Sequence, residues 1–103
     1  MTGPLALTDA EAATVRAILK AHLPARTRAG IFGSRATGTC KPWSDLDLAL
    51  KGDGPLSLAV TAALAEAFAE SDLAWKVDIV DRMSVSEEFG RIIESTLVPF
   101  DLD

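Results

Sequence analysis

A single cysteine, Cys40, and a single histidine, His22, are all that the 103 residues offer of thiol and imidazole ligands. One thiol cannot close an intramolecular disulfide, and neither residue has companions at zinc-ligand spacing, so the sequence excludes a disulfide framework and a structural zinc site and reads as reducing-compartment. Long apolar runs are missing too. Met1 to Leu7 lacks a basic segment leading into a sustained hydrophobic stretch, and nowhere do about eighteen apolar residues follow one another, so the expectation is a cytoplasmic protein with no membrane partner. Lys and Arg number 10 against 15 Asp and Glu, a net charge of −5. No basic run is long enough to follow a phosphate backbone, and direct nucleic-acid binding by this chain is not expected. Internal repeats are also absent, and residues 1–103 read as one domain around one core.

What is present is a globular composition, 49% hydrophobic and 24% charged. Thr8 and Glu11 fit a capping box, and Ala12, Val15, Ile18, Leu19 and Leu23 recur at helical spacing until Pro24. Ala29 to Phe32 suits a short buried strand running into the glycine turn Gly33-Ser34, with a short helix starting near Ser34. Asp45 to Leu50 alternates polar and apolar, a strand with Leu46 and Leu48 facing the core. Ser57 to Glu70 reads as a second long helix, and Trp75 to Val80 as a third strand, with Trp75, Val77 and Ile79 opposite Lys76, Asp78 and Val80. Asp81 reads as the turn residue beyond it. Ser84 with Glu87 suggests a capping box for a last helix, ended by Pro99, whose Phe89, Ile92 and Ile93 read as core. The order is α, β, short turn, β, α, β, α, an α/β (α+β) class with a small mixed sheet flanked by helices. A domain this small buries a limited share of its surface, so a partner subunit and a hetero-oligomer are expected.

Asp45 and Asp47, two apart on a strand, direct their carboxylates to one side. Such a pair is a Mg²⁺ site or a solvated strand face, and alone it does not decide between them. Aspartate is depleted in strands, yet Asp78 lies on another strand-like segment, where a third carboxylate could complete a metal site or act as a general base. The Gly33-Ser34 turn could hold phosphate oxygens on backbone N–H groups, with the Ser34 hydroxyl and the Arg35 charge beside them. Together these parts supply what nucleotidyl transfer asks of a protein: a held triphosphate, a neutralising metal and an oriented acceptor oxygen. Trp43 and Cys40, in the loop before the metal strand, are secondary candidates for touching a base or a partner. Lys76 could meet the triphosphate, and His22 is explained by its place at a helix C-terminus.

The ordered set Gly33-Ser34-Arg35-Ala36-Thr37-Gly38, Ser44-Asp45-Leu46-Asp47-Leu48 and Val77-Asp78-Ile79-Val80 resembles the signature of the polymerase-β-like nucleotidyltransferase superfamily in its minimal (MNT) form. The resemblance implies the nucleotidyltransferase fold, with Gly33, Ser34, Arg35 and Ser44 around the nucleotide. It also implies that Asp45, Asp47 and Asp78 bind metal and carry catalysis, Asp78 helping to activate the acceptor hydroxyl. Cofactor and substrate would be Mg²⁺ and ATP or another nucleoside triphosphate, with pyrophosphate released. Minimal members are similar to the antitoxin of HEPN/MNT toxin–antitoxin pairs, in which AMP is transferred to a tyrosine of a HEPN ribonuclease. The implied function is therefore a protein adenylyltransferase (AMPylation) acting as an antitoxin on a HEPN-type toxin. Alternatives are a non-catalytic module that blocks a partner by complex formation, and transfer to RNA or a small molecule, for which no basic or appended acceptor surface is present.

Overall fold

The computed structural model describes residues 6–102. Helix α1, Asp9–His22, opens on Thr8, whose hydroxyl accepts from the Glu11 N–H at 3.1 Å while Glu11 Oε1 accepts from the Thr8 N–H at 2.9 Å. The chain then runs through β1 (Arg28–Phe32), α2 (Ser34–Thr37), β2 (Leu46–Lys51), α3 (Leu58–Ala69, capped by Ser57), β3 (Val77–Asp81), α4 (Glu87–Thr96) and β4 (Val98–Phe100). The sheet order is β3-β2-β1-β4. β1 pairs antiparallel with β2 and β4, whereas β2 and β3 run parallel, so α3 is the crossover that a parallel pair needs.

Alternation along the strands sorts side chains onto two faces. Leu46, Leu48 and Leu50 are each 0% exposed and meet Val15 and Leu19 of α1 and Leu64 and Phe68 of α3 in the main core. Burying each such side chain is worth about 1.5–3 kcal/mol, which fixes the register of β2. The other face is thinner. Phe32 and Ala49 pack against Ile93 of α4, with Val80 and Val85 alongside. The same alternation that turns three leucines to the thick core directs Asp47 and Asp78 to the thin face, beside α4.

Five sequence expectations are corrected. A fourth strand was not anticipated: α4 stops at Thr96, and Val98-Pro99-Phe100 pairs with β1. Pro99 lies within that strand instead of ending the helix, and an edge strand of three residues tolerates it. Ser86, not Ser84, caps α4, its hydroxyl accepting from the Phe89 N–H at 3.1 Å, because Ser84 Oγ is engaged with Asp81. Phe89 and Ile92 were expected in the core, but only Ile93 is fully buried; the other two are 38% and 62% exposed. Finally, Asp81 closes β3 rather than following it.

Asp81 is a local organiser. Its carboxylate accepts from the Leu56 N–H at 2.7 Å, the Met83 N–H at 3.0 Å and the Ser84 hydroxyl at 2.9 Å, joining the loop before α3 to the turn before α4. Burial pushes its carboxyl upward, but the three hydrogen bonds outweigh burial and hold it below the usual carboxylate value. A lowered folded-state value stabilises the protein above the unfolded pKa and is lost as pH falls through the folded one. Asp81→Ala should therefore lower stability by about 1–3 kcal/mol at neutral pH, and its deficit against wild type should shrink on acidification; thermal melts of both proteins across pH 3–7 check this.

Candidate active site

Asp47 sits at the centre of the sheet's acidic end, paired with Phe32 of β1 on one side and Asp78 of β3 on the other. Directly opposed residues on neighbouring strands share a face, so the Asp47 and Asp78 carboxylates are neighbours by register. Asp45 precedes the first residue of β2 and is exposed, whereas Asp47 is half-buried. The expected strand began at Asp45; the observed one begins at Leu46, and the two-residue spacing still brings Asp45 close enough to act on Asp47 electrostatically. Burial, then the charge of Asp78, then that of Asp45, raise the Asp47 carboxyl above its usual value. A half-buried carboxylate repelled by two neighbouring ones is relieved by a cation, so this donor set fits a divalent ion.

The glycine turn abuts that carboxylate. Gly33 adopts φ 79°, ψ −153°, backbone that only glycine occupies readily, and a Cβ added there would lie 2.5 Å from Asp47 Oδ2. Its N–H donates to Thr96 Oγ1 at 3.0 Å, which ties the turn to the last residue of α4. Ser34 and Arg35 begin α2, where the first backbone N–H groups have no partner within the helix. Gly33, Ser34, Asp45, Asp47 and Asp78 therefore gather at one end of the sheet. Among the described residues no three ligating side chains converge into a closed metal cage. Mg²⁺ does not require one, since one or two carboxylates, water and substrate phosphates complete its shell.

Arg35 is placed differently from the expectation. Arg35 is only 4% exposed and turned inward, its guanidinium donating to the carbonyls of Ser44, Ala6 and Pro42 at 3.0, 2.8 and 3.2 Å and stacking 4.4 Å from the Trp75 ring centroid. Those four groups make it a clamp on the loop before β2, and the charge is satisfied inside the protein. The Ser44 hydroxyl accepts from the Lys41 N–H at 2.9 Å, within the same loop. Both residues thus hold the segment that delivers Asp45. Lysine cannot reproduce the planar fork, so Arg35→Lys should destabilise by about 1.5–3 kcal/mol and raise the KM for nucleotide; urea unfolding and initial-rate kinetics read the two effects.

Trp43 is 72% exposed at the tip of that loop with Lys41 Nζ 5.9 Å from its ring centroid, and Lys76 is exposed beside Asp78. Thr96 and Phe32 adjoin the site and were not singled out from sequence: Thr96 lies 63 residues from the glycine it contacts, a separation without a local signal.

Residues 12–101 match the family described as Nucleotidyltransferase domain. The chain belongs to that family. This nucleotidyltransferase is similar to a Haemophilus influenzae protein described as a probable protein adenylyltransferase, MntA, with 43% identity over 94 residues that span 91% of this chain and 82% of the relative. Its fold superposes on a chain of a toxin–antitoxin crystal structure with AMP-PNP at a TM-score of 0.75 and 26% identity, covering 87% of this chain and 72% of that one. A chain assigned as a minimal nucleotidyltransferase matches at a TM-score of 0.66 and 29% identity, over 87% and 89% of the two chains. The nucleotidyltransferase fold of one mixed sheet between helices is therefore the architecture that the sequence implied. No helix of the described residues is long and apolar enough to cross a membrane.

Proposed function

We propose that this nucleotidyltransferase is a Mg²⁺-dependent protein adenylyltransferase that modifies a HEPN-type toxin and so acts as its antitoxin. The observation carrying this reading is the 43% identity, over 91% of the chain, to a protein described as an adenylyltransferase, joined to an acidic strand end beside a glycine turn. In this reading Gly33 and the opening of α2 hold the triphosphate, with the Ser34 hydroxyl as a further donor. Asp45 and Asp47 hold the metal together with the phosphates. When bound, Mg²⁺ would neutralise the charge of the phosphate oxygens, including the charge that builds on the departing pyrophosphate. Asp78, exposed and adjacent to Asp47, takes the proton of the acceptor hydroxyl. That oxygen then forms a bond to the α-phosphorus, the α–β bridging bond breaks, and pyrophosphate leaves. Arg35 positions Asp45 through the loop rather than touching nucleotide, and in this reading Ser44, in the same loop, stands next to Asp45 on the nucleotide side.

The protein is proposed to work in the cytoplasm, in a hetero-oligomer with its toxin, as one domain. Intact-mass measurement of the toxin encoded beside it, after incubation with this protein, Mg²⁺ and ATP, tests the reading. A gain of one or more adenylyl groups supports it. A stable complex with no gain in mass would instead make the chain a blocking module.

A further inference from the structure

The end of the sheet remote from the carboxylates carries the opposite charge. Arg28 and Lys51 face each other across the antiparallel β1–β2 pair. They share the thin face with Gly30 and Ala49, and Arg82, whose N–H continues the ladder to the Leu50 carbonyl at 2.8 Å, stands next to them. Like charges directly opposed on neighbouring strands are unfavourable. Arg82 is neutralised by Glu94, at 3.0 Å from Nε and 2.9 Å from Nη2, whereas neither Arg28 nor Lys51 has an ion-pair partner among the described residues. These cations rim a cavity of ≈ 320 Å³ whose apolar lining is Ala29, Gly30, Ala49, Ile93, Leu97 and Pro99; Glu94 also lines it, its carboxylate held on Arg82, so that the unpaired charge at the rim is that of Arg28 and Lys51. The cavity exists because α4 covers the thin face incompletely and the sheet presents small residues there. A Cβ at Gly30 would lie 2.5 Å from Leu97 Cδ1, so a larger residue there would push the Leu97 side chain aside.

We propose that this cavity is a second binding site, distinct from the nucleotidyl-transfer site, for a small amphipathic anion: an apolar body of ring size bearing a carboxylate or phosphate. The apolar body fills the space between α4 and the sheet, and the anion sits between Arg28 and Lys51, relieving their repulsion. The volume lies at the lower end of ligand pockets, about 300–1,000 Å³, which limits the ligand to one ring or one short branched chain. A polar anion without an apolar body would leave the cavity empty, and a neutral ring would leave the two cations opposed.

Phenyl phosphate, inorganic phosphate and benzyl alcohol serve as probes in amide NMR titrations of the full chain without divalent metal. The expected result is saturable shifts at Gly30, Ala49 and Leu97 with phenyl phosphate, at least tenfold weaker with either of the others. In Arg28→Gln/Lys51→Gln the affinity for phenyl phosphate should fall at least tenfold while nucleotidyl transfer stays at the wild-type rate; Lys51→Gln alone gives a smaller loss in the same direction. Shifts confined to Gly33, Asp47 and Asp78, or equal affinity in wild type and variant, would overturn the proposal. Repeating the titration on the complex with the protein partner identifies the source. Exclusion of phenyl phosphate by a partner that itself shifts these amides assigns the anion to the partner's chain; undiminished binding assigns it to a free small molecule.

Discussion

Asp45→Asn/Asp47→Asn is expected to abolish adenylyl transfer while leaving the fold intact and more stable. Metal-borne charge stabilisation is worth several kcal/mol, so the rate should fall on the order of 10³-fold or more at about 1.4 kcal/mol per decade. The stability effect has the opposite sign. Burial and the charges of Asp78 and Asp45 raise the Asp47 carboxyl, so the folded protein binds that proton more tightly than the unfolded chain does. Stability therefore declines as pH rises from the unfolded value through the folded one, and at neutral pH the ionised group opposes folding. Removing the charge lifts the Tm of the metal-free protein. Added Mg²⁺ should raise the Tm of the wild type, by linkage to binding, and leave the double variant unchanged. Calorimetry with and without Mg²⁺, beside the intact-mass assay, reads all of these. A double variant that still transfers AMP would remove the pair from the site.

Gly33→Ala should damage both stability and turnover. The residue sits at φ 79°, ψ −153°, a region essentially restricted to glycine, and any side chain there costs about 1–3 kcal/mol. The added methyl would also strike the Asp47 carboxylate, 2.5 Å away, so the strain is relieved only by moving the turn or the metal ligand. A displacement of about 1 Å at a reacting centre can reduce rate on the order of 10²-fold. Chemical denaturation and single-turnover kinetics separate the two losses. A variant with lowered stability and unchanged turnover would show that the turn is structural only.

The elements and the acidic site were legible in sequence for different reasons. Strand β2 was readable because Leu46, Leu48 and Leu50 alternate with polar residues, and the order of Gly33, Asp47 and Asp78 followed from the motif. The pairing of β3 with β2 in parallel, which makes Asp47 and Asp78 direct neighbours, has no local signature. Strand β4 was invisible because three residues around a proline carry no period. Arg35 misled because a conspicuous cation beside a phosphate-type turn suggests a ligand; that it reaches inward to carbonyls of three separate residues depends on where the chain folds back, not on its neighbours in sequence. The Ser84–Glu87 spacing failed through competition, since Asp81 took the hydroxyl that would have capped the helix. Phe89 and Ile92 shared the period of Ile93, but only Ile93 is fully buried, packed on Phe32 and Ala49 of the sheet, and the other two stay partly exposed.

The hydrogen bond from the Gly33 N–H to Thr96, and the pairing of β1 with β4, also order events during synthesis. The glycine turn and all three aspartates leave the ribosome before the segment that fastens the turn and closes the edge of β1. Until residues 96–100 arrive, β1 presents an open edge to other chains, and the turn lacks the tether that holds it beside Asp47. The turn beside Asp47 thus gains its tether, and β1 its second neighbour, only after the proposed metal-binding side chains have already been made.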